Sequence, residues 1–274
     1  NQGSLPPVNA VRVEEMLNYF DYQQQTPADK THPFSVKTEM MTAPWNNDRK
    51  LLKIALKGYE LPKSELGHSN LVFLLDVSGS MNSPHKLPLL KRSLTLLTNQ
   101  LNEHDRVSIV VYAGTAGIVL KPTAGNQQAT ITRALNQLNA GGSTNGGQGI
   151  ELAYNIAQEQ FIKGGINRVI LATDGDFNVG TSNIETLKKL IAKKRKQGIT
   201  LTTLGFGQGN YNDYLMEQIA DVGNGNYAYI DNINEARKVL VDQLSSTLKT
   251  IAHDVKIQVE FNPNTVSEYR LIGY

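Results

Sequence analysis

The chain has 274 residues, no cysteine and a formal net charge of +2, from 27 basic against 25 acidic side chains. The lack of cysteine excludes disulfides, Cys-ligated zinc, iron–sulfur clusters and a thiol nucleophile, and the even charge balance gives no reason to expect nucleic acid as a partner. At 40% hydrophobic and 19% charged residues the composition is globular, and at about 150 residues per domain the length allows roughly two domains with real cores.

Asn1 to Pro7 reads as an extended lead-in. The chain opens without Met and ends at Tyr274 with no turn or tail signal, so both ends are expected to be trimmed or processed. Val13, Met16, Leu17 and Phe20 recur at i, i+3, i+4 and i+7, which predicts a short amphipathic helix. The polar stretch from Gln23 to Pro33 reads as loop. Phe34, Val36, Thr38 and Met40 then alternate with Ser35, Lys37 and Glu39, and Leu52, Ile54 and Leu56 alternate with Lys53, Ala55 and Lys57. A period of two with one polar side predicts half-buried strands.

From Leu71 the pattern changes. Leu71-Val72-Phe73-Leu74-Leu75 is apolar without alternation, as a strand covered on both faces must be. No apolar run is longer than these five residues, far short of the ~18–20 residues of a membrane span. Val107–Tyr112, Val169–Ala172 and Ile199–Leu204 continue the series, with a hairpin from Tyr112 through Ala113–Gly117 into Ile118, Val119 and Leu120. Helical stripes run between them. Leu90, Leu94, Leu97 and Leu101 form the first, with Pro88 near the start, where its missing N–H costs little. Ile131, Leu135 and Leu138 follow, then Ile150, Ala153, Tyr154, Ala157 and Phe161, then Leu187, Leu190 and Ile191, then Leu215, Ile219 and Val222, and last Ala236, Leu240, Leu244 and Leu248. Alternating strands and helices predict a doubly wound, mostly parallel α/β sheet. After Ala252 the two-residue alternation returns at Val255, Ile257, Val259 and Phe261. The expected organisation is an α/β domain over 66–251, inserted into a smaller β-rich domain built from both termini. That smaller domain would combine a helix-and-strand region, 1–65, with a C-terminal strand region, 252–274, that is cut short at Tyr274.

In open α/β sheets ligands bind beyond the carboxyl ends of the strands. Leu71–Leu75 runs into Asp76-Val77-Ser78-Gly79-Ser80. Alternate residues of an extended segment point the same way, so Asp76, Ser78 and Ser80 present a carboxylate and two hydroxyls together. Val169–Ala172 runs into Thr173-Asp174-Gly175-Asp176, which puts a second carboxylate at a central strand tip. Gly141-Gly142-Ser143-Thr144-Asn145-Gly146-Gly147 adds a glycine loop with two hydroxyls. Oxygen donors without imidazole or thiolate suit a hard cation: Mg²⁺, Mn²⁺ or Ca²⁺. If the carboxylates act partly through water, the ion stays electrophilic and an external carboxylate could take an open position.

Asp76-Val77-Ser78-Gly79-Ser80, with Thr144 in Gly-Gly-Ser-Thr and Asp174 in Thr-Asp-Gly-Asp, resembles the metal-ion-dependent adhesion site (MIDAS) of von Willebrand factor type A domains. The resemblance covers roughly residues 66–251. The flanks, including Val11–Phe20 and Phe261-Asn262-Pro263, are similar to bacterial YfbK-type proteins of this family, which carry extra regions on both sides and often a lipoprotein signal. The resemblance implies a Mg²⁺ or Ca²⁺ site with Ser78, Ser80 and Thr144 as direct ligands and with Asp76 and Asp174 acting largely through water. Ser143 could substitute for Thr144. It implies adhesion or scaffolding rather than catalysis, with a protein partner offering Asp or Glu to the metal. It also implies a bacterial periplasmic or envelope location, with a lipid anchor on a lost leader.

Other readings compete. A metal-dependent hydrolase or phosphotransferase would use the same ion to activate water, but no base or nucleophile gathers beside the metal loops in sequence. A structural subunit with a non-functional site is the third possibility. Asp174, Asp176 and Asn178 with Glu185 at loop position twelve mimic an EF-hand, but Val179 stands where glycine is needed, a strand precedes the loop, and Ser182 with Glu185 forms a helix-capping box. Gly205-Phe206-Gly207-Gln208-Gly209 has Asn210 where a dinucleotide loop needs its third glycine. His85 reads as surface decoration. Lys188, Lys189, Lys193, Lys194, Arg195 and Lys196 read as a solvated helix face whose cations complement the dipole before Gly198.

Overall fold

The computed structural model describes residues 13–20, 22–29, 31–60, 67–143, 146–175, 177, 184–207, 213–242, 251–252 and 255–272. The chain divides into two compact units, Asn1–Glu60 with Thr250–Tyr274, and Leu61–Lys249.

In the first unit, helix α1 (Val13–Asn18) precedes an antiparallel hairpin of β1 (Phe34–Ala43) and β2 (Asn46–Gly58). The register sets Val36 opposite Leu56, Thr38 opposite Ile54 and Met40 opposite Leu52, so the apolar halves of both strands share one side. On the other side Glu39 pairs with Lys37 at 2.8 Å and with Lys53 at 3.5 Å. The stripe expected on α1 is solvent-exposed at Val13, Met16 and Leu17, and Phe20 lies beyond the helix end. Arg49 forms an ion pair with Glu268, and Ile251 packs on Gly58. The strand expected over Val255–Phe261 does not form: the described residues there lie outside any strand. Alternation decides which side chains share a side, whereas a strand also needs a backbone ladder to satisfy its N–H and C=O groups. A turn follows instead, with Asn262 C=O accepting from Thr265 and Val266 N–H, both at 3.0 Å, and the Phe261 and Tyr269 rings 4.6 Å apart.

The second unit runs β3 (Ser69–Asp76), α2 (Leu87–Thr98), β4 (Arg106–Tyr112), β5 (Ala116–Ala124), α3 (Gln128–Asn136), α4 (Gly146–Glu159), β6 (Ile166–Thr173), α5 (Ile184–Lys196), β7 (Thr200–Phe206), α6 (Asp213–Val222), β8 (Tyr227–Ile230) and α7 (Ile233–Arg237), which continues into a π-helical turn, Lys238–Asp242. Leu244 and Leu248 of the last predicted stripe lie outside the described residues. The six-stranded sheet has the order β5-β4-β3-β6-β7-β8, and every pairing is parallel except β4 with β5. The short edge strand β8 has no counterpart among the expected elements, because Tyr227-Ala228-Tyr229-Ile230 is too brief to show a period.

β3 lies inside this sheet, and its residues from Asn70 to Asp76 are wholly buried. Leu71, Phe73 and Leu75 enter one core with Leu90, Leu94, Ile131 and Leu240; Val72 and Leu74 enter the other with Ile150, Tyr154, Ile191 and Ile219. Period-two geometry thus splits one apolar run between two helix layers. Helix α4 approaches the sheet through Gly149, where a Cβ would stand 2.9 Å from Tyr112 Cβ and 3.1 Å from Leu74 Cδ1. From β3 the chain goes to β4 on one side, and later to β6 on the other. The strand order reverses at β3, so the crevice at the carboxyl ends of β3 and β6 is where this topology makes room for a ligand. Among the described residues, no helix is long and apolar enough to cross a membrane.

Candidate metal centre

Asp76 is the last residue of β3 and is fully buried. Three donors hold its carboxylate. Ser78 N–H donates to Oδ1 at 2.9 Å, while the hydroxyls of Thr173 and Tyr112 donate to Oδ2 at 2.9 and 3.3 Å. Burial pushes the Asp76 carboxyl above its usual range; the bonds from Ser78 and Thr173 pull the other way, and the charge of Asp174 adds to the rise. Burial, reinforced by the Asp76 charge, also raises the Tyr112 phenol well above its ordinary value, so it stays a neutral donor.

The turn after β3 brings the Ser78 and Ser80 hydroxyls to 3.0 Å from each other, Ser78 buried and Ser80 exposed. A 3-10 turn, Gly79–Met81, follows directly. The glycine loop is stitched to this turn: Gly141 N–H donates to Val77 C=O at 2.8 Å and Gly79 N–H to Gly142 C=O at 3.1 Å. Residues 141–143 therefore lie against the segment from Asp76 to Ser80, with Ser143 exposed. Thr144, and with it Asp176, Asn178, Ser182 and Asn210, lies outside the described residues.

Asp174 follows β6, with its side chain only 3% exposed. One of its partners is Lys86, whose Nζ is 2.7 Å from Oδ2 and also donates to Ser80 C=O at 3.1 Å. A single ammonium thus spans the tip of β6 and the turn after β3. The structure brings together Asp76, Ser78, Ser80 and Asp174. His85 is exposed, with its backbone N–H on Ser83 Oγ at 3.3 Å, and Glu185 pairs with Lys188 at 3.6 Å.

Lys86, Tyr112 and Thr173 complete the network and were not among the expected site residues. Thr173 and Tyr112 could have been found as the residues that end β6 and β4, the strands flanking β3. Lys86 gives no local signal, because its long stem carries the charge away from its own backbone.

The donor set is oxygen throughout, the Asp174 charge acts on the Asp76 carboxyl, and a cation already sits on Asp174. These residues fit a hard divalent ion. Among the described residues no three His, Cys, Asp or Glu side chains gather, so hydroxyls and water have to complete any shell.

A family model described as "von Willebrand factor type A domain" matches residues 70–243. One described as "von Willebrand factor" matches 1–53, and one described as "Uncharacterized protein YfbK, C-terminal" matches 246–274. The chain is 52% identical to YfbK of Escherichia coli (strain K12) over 280 aligned residues, covering all of this chain but only 49% of that protein. BatB from Bacteroides thetaiotaomicron superposes with a TM-score of 0.55 at 21% identity, over 65% of this chain and 98% of that one. Proximal thread matrix protein 1 from the mussel byssus, solved with a zinc-occupied MIDAS motif, gives a TM-score of 0.53 at 23% identity, over 66% of this chain and 46% of that one. With the family model spanning the whole sheet from β3 to the turn after α7, this chain belongs to the von Willebrand factor type A domain family.

Proposed function

We propose that Asp76, Ser78, Ser80, Thr144 and Asp174 hold one divalent cation, and that the chain is a metal-dependent protein-binding module. The observation that carries this is the ammonium bridging Asp174 and the Ser80 carbonyl beside the paired Ser78 and Ser80 hydroxyls: the site attracts a cation. Ser78, Ser80 and Thr144 are the direct ligands in this reading, and Asp76 and Asp174 act through water. A bound ion supplies an electrophilic centre that a carboxylate of a protein partner completes. The mussel protein holds zinc in its MIDAS motif; the oxygen-only donors here favour the harder ions Mg²⁺, Mn²⁺ or Ca²⁺.

The role is binding rather than catalysis. Both Asp76 oxygens already accept hydrogen bonds from Ser78, Thr173 and Tyr112, so this carboxylate is built to position and not to shuttle protons. The same reading places the chain in the bacterial cell envelope; cell fractionation checks it.

The test uses acetate as a carboxylate probe. Mn²⁺-loaded protein is expected to broaden the acetate NMR line beyond the effect of free Mn²⁺, and an Asp76→Ala, Ser78→Ala double variant is expected to lose that excess. Equal broadening by the two proteins contradicts the proposal.

A further inference from the structure

We propose that Lys86 is a tethered competitor for the metal site: its ammonium neutralises Asp174 in the ion-free protein, and a divalent cation has to displace it. This rests on the metal-binding reading above. Lys86 Nζ lies 2.7 Å from Asp174 Oδ2 and 3.1 Å from Ser80 O, and both residues belong to the proposed metal-holding set. The two side chains are only 18% and 3% exposed, so water screens the pair less than it would on an open surface.

The lysine has no evident use to its own helix. It stands at the N-cap of α2 and makes no side-chain capping bond there, at a position that favours Ser, Thr, Asp or Asn. Its stem instead crosses bare backbone at Gly207, just after β7. A Cβ there would stand 2.5 Å from Lys86 Cε and 2.9 Å from Cγ, and Gly207 has φ +100°, a conformation L side chains rarely adopt. The carboxyl end of β7 thus leaves a track along which the ammonium reaches the tip of β6.

A monovalent ammonium and a divalent ion compete for the same Asp174 charge and repel each other at close range. Lys86 therefore offsets charge on Asp174 while the ion is absent, and it sets the ion concentration at which the site fills. Once displaced, the ammonium becomes more accessible to solvent.

Two measurements on the intact chain test this with Mn²⁺ alone as the probe. Lys86→Met keeps an apolar stem over Gly207 and removes the charge. It is expected to bind Mn²⁺ about tenfold more tightly than wild type, read from the free-Mn²⁺ electron paramagnetic resonance signal. In wild type, saturating Mn²⁺ is expected to raise severalfold the acetylation of Lys86 by dilute acetic anhydride, read by peptide mass spectrometry. Wild-type binding with equal or weaker affinity in Lys86→Met overturns the role of Lys86 and leaves the metal site standing. No Mn²⁺ binding by either protein removes both. If Lys86→Met does not fold, the labelling on wild type decides: Mn²⁺ binding with unchanged Lys86 acetylation overturns the proposal.

Discussion

Asp76 shows how burial and charge set the character of the centre. Its carboxyl is raised above the ordinary 3.8, chiefly by burial, so in the ion-free protein its ionisation opposes folding. That cost is absent below the unfolded value, grows as pH rises through the folded value, and is complete above it. In chelator at neutral pH, Asp76→Asn is therefore expected to be more stable than wild type in urea unfolding. The gap should close as pH falls through the carboxylate range. A gap that widens on acidification would show that the carboxylate is stabilising without a metal. With Mg²⁺ present, wild type should gain stability and Asp76→Asn should not. That Asp76, Ser78, Ser80 and Asp174 come together was legible in the sequence because each follows a buried strand or shares a side of an extended turn. Tyr112 was hidden inside an apolar run, and Lys86 acts far from its backbone, through contacts that exist only once β6 and β7 lie side by side.

The elements that carry the centre are held by packing on both faces of β3. Leu74→Ala, which empties a fully buried position against α4, is expected to cost about 2–5 kcal/mol in denaturant unfolding. Gly149→Val drives a branched side chain into Tyr112 and Leu74 and should cost about 1–3 kcal/mol or more, with a weakened metal response because α4 follows the glycine loop. Unchanged stability in Gly149→Val would show that α4 can withdraw from the sheet. Elements of this kind were readable in advance: the unbroken apolar run announced β3, and the leucine spacing announced α2. Two features were not. β8 is too short for a periodic signal, and the alternation from Val255 to Phe261 has no ladder among the described residues.

For the chain as a whole, we propose that the two termini form one domain and that the α/β domain is an insertion within it. The grouping of Asn1–Glu60 with Thr250–Tyr274, and the Arg49–Glu268 pair, support this. Both cores of the second unit are built from residues inside Leu61–Lys249. A fragment spanning 61–249 is therefore expected to unfold cooperatively and to keep the stabilisation by Mg²⁺; a fragment that fails to fold alone would contradict the insertion. Because the chain spans 49% of YfbK, the partner-binding role is proposed for this module and not for a whole relative. The proposed role depends most on the cation itself. Calorimetric titration of the intact chain with Mg²⁺, and separately with Ca²⁺, tests it most directly. The prediction is saturable binding of a single ion that disappears in the Asp76→Ala, Ser78→Ala double variant; no binding in wild type, or binding that survives in the double variant, would contradict it.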